Sequence, residues 1–213
     1  MSYANRREAG DALAAELGAY AGRDDVVVLG LVRGGVPVAA RVAAALKAPL
    51  DVLVVRKLGV PWAPEVAFGA LGPGGVAVHN MDVESRLTPE DVTEVTAKEA
   101  VELDRREAVY RGGRPPLSLV GKVAIVVDDG LATGATARAA VAVARRLGAE
   151  AVIAAVPVGA ADSVDLLRAE ADLVVCPLVP SPFGAVSRFY RSFPQVSDED
   201  VVALLSKASS LFN

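Results

Sequence analysis

Cysteine and histidine are almost absent from this sequence, which contains one of each, Cys176 and His79. A single cysteine excludes a framework of internal disulfides and fits a reducing compartment. One histidine without neighbouring cysteines does not provide the ligand set of a zinc site. Aromatic residues are also scarce, at 5% of the chain against 53% for all hydrophobic residues. The core must therefore be built mainly from alanine, valine and leucine.

Long hydrophobic runs and an excess of positive charge are missing as well. The longest uninterrupted apolar stretches are about ten residues, which is too short to cross a bilayer. The formal net charge is −4, and no basic segment with interleaved aromatic residues is present, so we expect no nucleic-acid partner and no membrane association. The first residues lack the apolar region of a signal peptide. We expect a soluble, cytoplasmic protein.

Two common nucleotide-binding motifs do not occur. Residues 30–35 do not match the G-x-G-x-x-G turn of nicotinamide-dependent dehydrogenases, and the G-x-x-x-x-G-K-[ST] loop of P-loop NTPases is absent. A receiver-type phosphoacceptor domain would use paired acids, but would not need the hydroxyl-rich turn described below. These three classes are therefore poor matches.

Apolar strands and amphipathic helices alternate along most of the chain. Valine- and isoleucine-rich runs of this kind are typical of a parallel sheet that is covered on both faces. The pattern predicts an α/β protein with a doubly wound parallel sheet. Strands are predicted over residues 26–31, 51–55, 123–127, 151–156 and 173–176. Helices are predicted over residues 6–20, 36–46, 135–147 and 162–169, and from residue 197 onward.

The middle of the chain departs from this alternation. Residues 58–65 are rich in glycine and proline and are predicted to form a loop. A hairpin is predicted over residues 66–71 and 76–78, joined by a Gly-Pro-Gly-Gly turn. A charged helix with a Thr-Pro-Glu start follows over residues 88–110. We interpret residues 58–112 as a small lid or insert.

Two adjacent acids and a hydroxyl-bearing turn follow the strand predicted over residues 123–127. Asp128 and Asp129 come directly after the strand, and Thr133-Gly134-Ala135-Thr136 precedes the next helix. Ligands of doubly wound sheets bind where strands end and helices begin. The turn would surround a phosphate with backbone N–H groups and hydroxyls at the positive end of the helix. The two carboxylates would then lie where the hydroxyls of an attached sugar can donate to them.

This segment resembles the signature of type I phosphoribosyltransferases: a hydrophobic strand, Asp-Asp, a short apolar bend and Thr-Gly-x-Thr. The resemblance implies Mg²⁺-dependent transfer of the 5-phosphoribosyl group from phosphoribosyl pyrophosphate to a nitrogen of an acceptor, by default a nucleobase, with release of pyrophosphate. It implies that Asp128 and Asp129 are catalytic residues that hold the 2′- and 3′-hydroxyls. Mg²⁺ would be held mainly by ligand oxygens, without direct protein ligands. The residues expected to bind phosphoribosyl pyrophosphate are Arg33, Gly34, Gly35, Arg56, Lys57, Gly130, Ala132, Thr133, Gly134, Ala135 and Thr136.

Two of these groups lie outside the motif. Arg33-Gly34-Gly35 closes the first strand, where similar loops of the family contact pyrophosphate, and adjacent glycines can expose N–H groups to an anion. Arg56 and Lys57, at the end of the second predicted strand, look like a basic pair directed at the same group. An acidic protein must supply local cations to bind so negative a ligand. Taken alone, the first group also fits an ordinary turn and the second a solvated pair.

The segment after the last predicted strand is where the family often places a hood over the acceptor. Phe183 and Tyr190 are the candidate acceptor contacts, although aromatic residues at such spacing also seal cores. A different interpretation of the whole chain stays open, namely a non-catalytic protein of the same fold that senses phosphoribosyl pyrophosphate and regulates a partner.

The domain organisation follows from these assignments. We expect one phosphoribosyltransferase-like domain over residues 1–213, with a core at about 24–176. The lid or insert occupies about 58–112, and the hood and C-terminal helix occupy about 177–213. Members of the family are often dimers, which favours a homodimer.

Overall fold

The computed structural model describes residues 2–210, and its centre is a five-stranded parallel sheet. Its strands are β1 (Val26–Leu31), β2 (Leu50–Leu53), β6 (Val123–Val127), β7 (Ala151–Ala155) and β8 (Leu173–Val175). They are arranged in the order β2-β1-β6-β7-β8, and each neighbouring pair is parallel. The chain order reverses between β1 and β6, which makes the gap between these two strands the switch point of the sheet.

Helices cover both faces of this sheet. One face is packed by α1 (Arg6–Glu16), α2 (Gly35–Leu46) and α7 (Asp198–Ser209), and the other by α5 (Ala135–Arg146) and α6 (Ala161–Arg168). Because side chains alternate along a strand, Val28 joins the first core and Leu29 the second, and both are fully buried. The predicted α/β class with a doubly wound parallel sheet is confirmed.

A second, antiparallel sheet is formed by β3 (Arg56–Val60), β4 (Ala63–Gly72) and β5 (Val76–His79). A short helix, α3 (Met81–Glu84), follows it, and then the long helix α4 (Pro89–Arg111). A capping box begins α4, with the Thr88 side chain accepting from the Asp91 backbone and Asp91 accepting from the Thr88 backbone. The predicted hairpin and the predicted charged helix are therefore confirmed.

The loop predicted over residues 58–65 is wrong, because most of that segment belongs to β3 and β4. Its glycines and prolines suggested a turn, but Leu58 and Val60 point inward and are buried with Phe68. The ladder between β3 and β4 shifts register around Gly59, an irregularity that accommodates Pro64. Leu58 and Val60 alternate with outward-facing residues as in a strand, and their burial favours the strand conformation over the predicted loop.

Among the remaining boundaries, the strand predicted over 26–31 is confirmed at both ends, and most of the others differ by a few residues. The strand predicted over 123–127 is confirmed at both ends, while the first helix ends at Glu16 and a 3₁₀ turn follows over Gly18–Tyr20. Residues 211–213 of the predicted C-terminal region lie outside the described residues. Within residues 2–210, no helix combines the length and the apolar character needed to cross a membrane.

Candidate active site

A cavity of about 450 Å³ lies at the carboxyl ends of β1 and β6, at the switch point of the sheet. The turn after β1 and the acids after β6 form one side of it. The N-terminal helix and the segment before α7 close the other side. Its lining residues are Arg6, Arg33, Gly34, Asp128, Asp129, Phe193, Pro194, Gln195 and Val196.

Asp128 and Asp129 lie together at the end of β6. The backbone N–H of Asp129 donates to Oδ1 of Asp128 over 2.8 Å. Burial raises the pKa of Asp128 above its ordinary range, and the negative charge of Asp129 raises it further. Burial also raises the pKa of Asp129, whereas the neighbouring guanidinium of Arg6 opposes that rise. The two carboxyls therefore form a closely coupled acidic pair.

The turn Arg33-Gly34-Gly35 approaches this pair so closely that side chains are excluded. A Cβ atom on Gly34 would lie 2.2 Å from Oδ2 of Asp129, and one on Gly35 would lie 2.5 Å from the carbonyl oxygen of Val127. The glycines therefore allow contact between the loops that follow β1 and β6, in addition to any role in binding an anion.

Arg33 lines the cavity, and its guanidinium is held by a residue that does not line it. Its guanidinium Nη1 lies 3.7 Å from Oδ1 of Asp198, the first residue of α7. The hydroxyl of Tyr110 in α4 donates to the same Asp198 oxygen over 2.6 Å. Arg33, one of the two arginines that line the cavity, is thus connected to both α4 and α7.

The Thr133–Thr136 segment leads into α5, which begins at Ala135 as the sequence predicts. Gly134 has a φ of +77°, the left-handed conformation that favours glycine. Thr133 and Thr136 are placed at the start of the helix, Thr133 exposed and Thr136 at its first turn. The preceding carbonyl, of Ala132, accepts a 2.6 Å hydrogen bond from the Ser163 hydroxyl. The turn is a fixed helix N-terminus with hydroxyls, adjoining but not lining the cavity.

Arg56 and Lys57 are not brought to the cavity. The parallel strand β2 ends at Leu53, so the pair begins the antiparallel strand β3 instead of ending a strand of the main sheet. Arg56 Nε donates to Oε2 of Glu99 in α4 over 2.7 Å. Lys57 Nζ lies 3.6 Å from Oε2 of Glu65. Both cations are paired with carboxylates of the insert.

The two aromatic residues predicted to contact an acceptor are also outside the cavity lining. The Phe183 ring packs on Phe189, with ring centroids 5.4 Å apart. Tyr190 is buried between Tyr3 and Phe193, and its hydroxyl donates to the backbone carbonyl of Asp129. Tyr190 therefore supports the acidic pair from behind, and Phe193 is the aromatic residue that reaches the cavity.

Arg6 is a cavity residue that the sequence patterns did not reveal. Its Nε and Nη2 lie 2.9 and 2.8 Å from Oδ2 of Asp129, and its Nη1 donates to the carbonyl of Pro194 over 2.7 Å. No local signal distinguishes Arg6 from the exposed Arg7 beside it. Residues 194–196 were missed for the same reason, since only the folded chain brings them to the acids.

The donor atoms around the acidic pair suit a magnesium-bound ligand. The acids Asp128 and Asp129 line the cavity, and Mg²⁺ prefers oxygen donors. Within residues 2–210, no group of three histidine, cysteine, aspartate or glutamate side chains gathers as a metal site.

Comparisons with known proteins agree with this geometry. The model of the phosphoribosyl transferase domain matches residues 3–189. Rv0571c of Mycobacterium tuberculosis, which has the provisional name phosphoribosyl transferase, is 52% identical over 206 residues, covering 96% of this chain and 46% of that protein. The chain thus spans about half the length of that relative.

A solved structure is similar over the full fold. The crystal structure of TT1426 from Thermus thermophilus has a TM-score of 0.90 and 41% identity, covering 97% of this chain and 99% of that one. The matched domain, residues 3–189, includes both strand ends of the cavity and most of the described chain. This chain belongs to the phosphoribosyl transferase domain family.

Proposed function

We propose that this chain transfers the 5-phosphoribosyl group of phosphoribosyl pyrophosphate to a nitrogen of a nucleobase and releases pyrophosphate, a salvage reaction. The observation that supports this most strongly is the acidic pair, Asp128 and Asp129, at the switch point of the sheet, with the glycine turn against it. Paired carboxylates beside a phosphate-binding helix N-terminus suit a phosphorylated sugar.

Each part of the site has a proposed role in binding the donor. Asp128 and Asp129 accept hydrogen bonds from the 2′- and 3′-hydroxyls of the ribose. The turn over residues 130–136 binds the 5′-phosphate through backbone N–H groups and the hydroxyls of Thr133 and Thr136. Arg33 and the N–H groups of Gly34 and Gly35 bind the pyrophosphate.

Arg56 and Lys57 are proposed as further pyrophosphate contacts of the donor-bound state. In the structure they are paired with Glu99 and Glu65. They would have to exchange these carboxylates for phosphate oxygens. Such an exchange costs little where the paired groups are partly solvated.

The chemistry asked of these residues is positioning and charge stabilisation. Loss of pyrophosphate leaves positive charge on the ribose ring, as in other glycosyl transfers through an oxocarbenium-like transition state. The acidic pair beneath the ring, in which Arg6 favours the ionised form of Asp129, stabilises that charge, and Arg33 stabilises the negative charge on the leaving group. When bound, Mg²⁺ offsets part of the pyrophosphate charge. The mechanism requires no covalent nucleophile from the protein.

The acceptor is proposed to lie against the segment over residues 193–196. Phe193 and Val196 offer an apolar wall opposite the acids, and Gln195 adds an amide that can both donate and accept. This assignment replaces Phe183 and Tyr190, since neither lines the cavity. A planar base fits a wall of this kind.

We further propose that residues 1–213 work as one unit, in the cytoplasm and as a homodimer. The acidic net charge and the single cysteine support the location and the absence of nucleic-acid or membrane partners. Light scattering on the purified chain tests the dimer: a mass of one chain at micromolar concentration contradicts it.

The experiment that tests the function has two stages. In the first, thermal melting of the chain is followed with phosphoribosyl pyrophosphate and Mg²⁺, and a donor concentration about 100 times Kd should stabilise the fold by about 2.7 kcal/mol. In the second, pyrophosphate release is measured with a panel of purines, pyrimidines and small amides.

The outcomes of the two stages separate the possible functions. Stabilisation together with base-dependent pyrophosphate release supports the proposal. Stabilisation without release for any acceptor favours the sensing protein instead. No stabilisation, or an equal shift with ribose 5-phosphate alone, contradicts a donor site for phosphoribosyl pyrophosphate.

A further inference from the structure

We propose that Arg6 is a positioning residue that ties the sugar-binding carboxylate Asp129 to the acceptor wall at Phe193 and Pro194, so that donor and acceptor binding depend on each other. This inference rests on the proposed function. It goes beyond that function because it assigns a role to the first helix of the chain, which lies outside the strand-end motifs of the site.

The contacts of Arg6 divide between the two sides of the cavity. Nε and Nη2 both reach Oδ2 of Asp129, at 2.9 and 2.8 Å. Nη1 donates to the Pro194 carbonyl over 2.7 Å, and the guanidinium lies 3.7 Å from the centre of the Phe193 ring. One rigid planar group therefore fixes both the acid and the wall, which a flexible ammonium could not do in the same way.

Burial makes the contact between Arg6 and Asp129 energetically important. The side chains of Arg6 and Asp129 are only 10% and 15% exposed. A carboxylate this far from water, with Asp128 as its neighbour, is costly to keep ionised unless a cation compensates it. Both N–H contacts go to Oδ2, so the other oxygen, Oδ1, remains available to accept from a sugar hydroxyl.

The position of the carboxylate is fixed from two further directions. The Tyr190 hydroxyl donates to the backbone carbonyl of Asp129. Gly34 packs against Oδ2 at a distance that leaves no room for a Cβ atom. With its backbone and one oxygen held, Asp129 can change position only if Arg6 also moves, and that movement would be passed on to Pro194.

Coupling between the two substrates follows from this connection. A sugar hydroxyl donating to Asp129 favours the position that Arg6 stabilises, and the same position of Arg6 holds Phe193 and Pro194 against the cavity. Because coupling between sites is reciprocal, an acceptor bound at the wall must strengthen donor binding by the same factor.

The test compares Arg6→Gln and Arg6→Lys with the matched variant Arg7→Gln. Arg7 is the next residue of the same helix, but its side chain is exposed. The first measurement is calorimetric and gives the Kd of phosphoribosyl pyrophosphate in the presence of Mg²⁺. It is made at two pH values on either side of neutrality, one near 6.5 and one near 8.5. The ionisable groups nearest the Asp129 carboxylate are Arg6 of α1, Asp128 and Tyr190. Arg33 lines the same cavity.

Arg6→Gln should weaken donor binding by about tenfold at the lower pH and by less at the higher pH, because without the cation the acidic pair keeps a proton to higher pH. Titration of the donor's own phosphates is common to all variants and cancels in the ratio to the unchanged protein. A merely structural role would weaken binding equally at both pH values.

Arg6→Lys provides the second readout. Its charge should restore donor binding to within about threefold, but a single ammonium cannot reproduce the planar fork, so the KM for the acceptor identified in the base panel should stay raised. This split between donor Kd and acceptor KM is specific to a link between the two sides. It also keeps the test decisive if Arg6→Gln does not fold.

Each contrary outcome has a distinct meaning. If the unchanged protein does not bind the donor, the proposed function fails and this inference fails with it. If the unchanged protein binds the donor but Arg6→Gln matches Arg7→Gln at both pH values, only the role of Arg6 is overturned. An unchanged acceptor KM in Arg6→Lys overturns the link to the wall.

Discussion

Individual close contacts determine the shape of the cavity, and Gly34 makes one of the closest. Its φ and ψ of −61° and −32° are ordinary for any residue, so alanine is excluded there by the Asp129 carboxylate and not by the backbone. Steric exclusion of this kind can be tested without disturbing the chain conformation.

Gly34→Ala should therefore displace the Asp129 carboxylate and weaken donor binding by at least about tenfold, equivalent to about 1.4 kcal/mol. Titration calorimetry with phosphoribosyl pyrophosphate and Mg²⁺ measures the effect. Gly18→Ala is the control, because a Cβ there has no atom within 4 Å. Equal affinities for the two variants would contradict the proposed contact between the turn and the acid.

The acidic pair itself leads to a second prediction. Asp128→Asn and Asp129→Asn should each lower turnover at least about tenfold with the fold retained, because each removes a carboxyl that contacts the ribose, and the Asp129 change also removes negative charge that stabilises the transition state. Pyrophosphate release under saturating donor measures turnover. Asp104→Asn, an exposed change on α4, should leave the rate unchanged, and full activity in both site variants would remove the proposed roles.

The extent to which the site could be predicted from sequence depends on separation along the chain. Asp128 and Asp129 are adjacent to each other and to the end of a strongly apolar strand, so their location follows from local pattern alone. Arg6 reaches Asp129 across 123 positions, and its neighbour has the same side chain. Only the folded chain distinguishes one arginine from the other.

Among the elements, two helices carry a clear start signal in the sequence, a capping box at Thr88 and another at Ser197. Ser197 caps α7 by accepting from the Asp200 backbone, while Asp200 accepts from the Ser197 backbone. The helix then buries Val201 and Leu205 against the sheet. Because its first residue, Asp198, also tethers Arg33, the start of α7 matters for the cavity as well as for the core.

Ser197→Ala should lower the free energy of unfolding by about 1 kcal/mol, since one backbone donor loses its partner. Urea denaturation measures the change. Ser206→Ala, an exposed serine inside the same helix, should be neutral or slightly stabilising because alanine is the better helix former. A loss of equal size in both variants would show that the cap contributes nothing of its own.

The antiparallel insert was the hardest element to predict. Gly59 and Pro64 are turn residues by local preference, yet they lie within paired strands because the bulge in the ladder absorbs them. Leu58 and Val60 carried the correct signal, a spacing of two, but over too few residues to outweigh the prolines. Tertiary pairing overrode composition here.

At the scale of the whole molecule, the sheet and its two cores followed directly from the apolar runs. Buried parallel strands have a simple pattern, and β6 was located to the residue. The loss of stability that results from burying the two acids could not be predicted from the sequence pattern. It depends on how far the acids are removed from water, which is a property of the complete fold.

That cost leads to a prediction about stability and pH. The pKa of Asp128 is raised above its ordinary value, mainly by burial and then by Asp129. Between the ordinary and the raised value, the folded chain keeps a proton that the unfolded chain has lost. Stability therefore falls as pH rises through this window, by up to about 1.4 kcal/mol per pH unit, and levels off above the folded-state pKa.

Asp128→Asn should remove this penalty, so its advantage in unfolding free energy over the unchanged protein should grow as pH rises from about 4, the ordinary aspartate pKa. Urea titrations at a series of pH values measure the difference. Asp104→Asn serves again as the exposed comparison. A difference for Asp128→Asn that stays flat or shrinks with rising pH would contradict a buried, proton-retaining carboxyl.

The contacts of the first residues have a consequence for synthesis of the protein. Arg6 donates to the carbonyl of Pro194, 188 positions later in the chain, and Tyr3 forms a β-bridge with Tyr190. At about 5–20 residues per second, roughly 10–40 s of translation separate Arg6 from Pro194. During that interval the emerging strands can pair, but the cavity lacks a wall. A chain still on the ribosome should therefore acquire the complete site only after residues 193–196 have been translated.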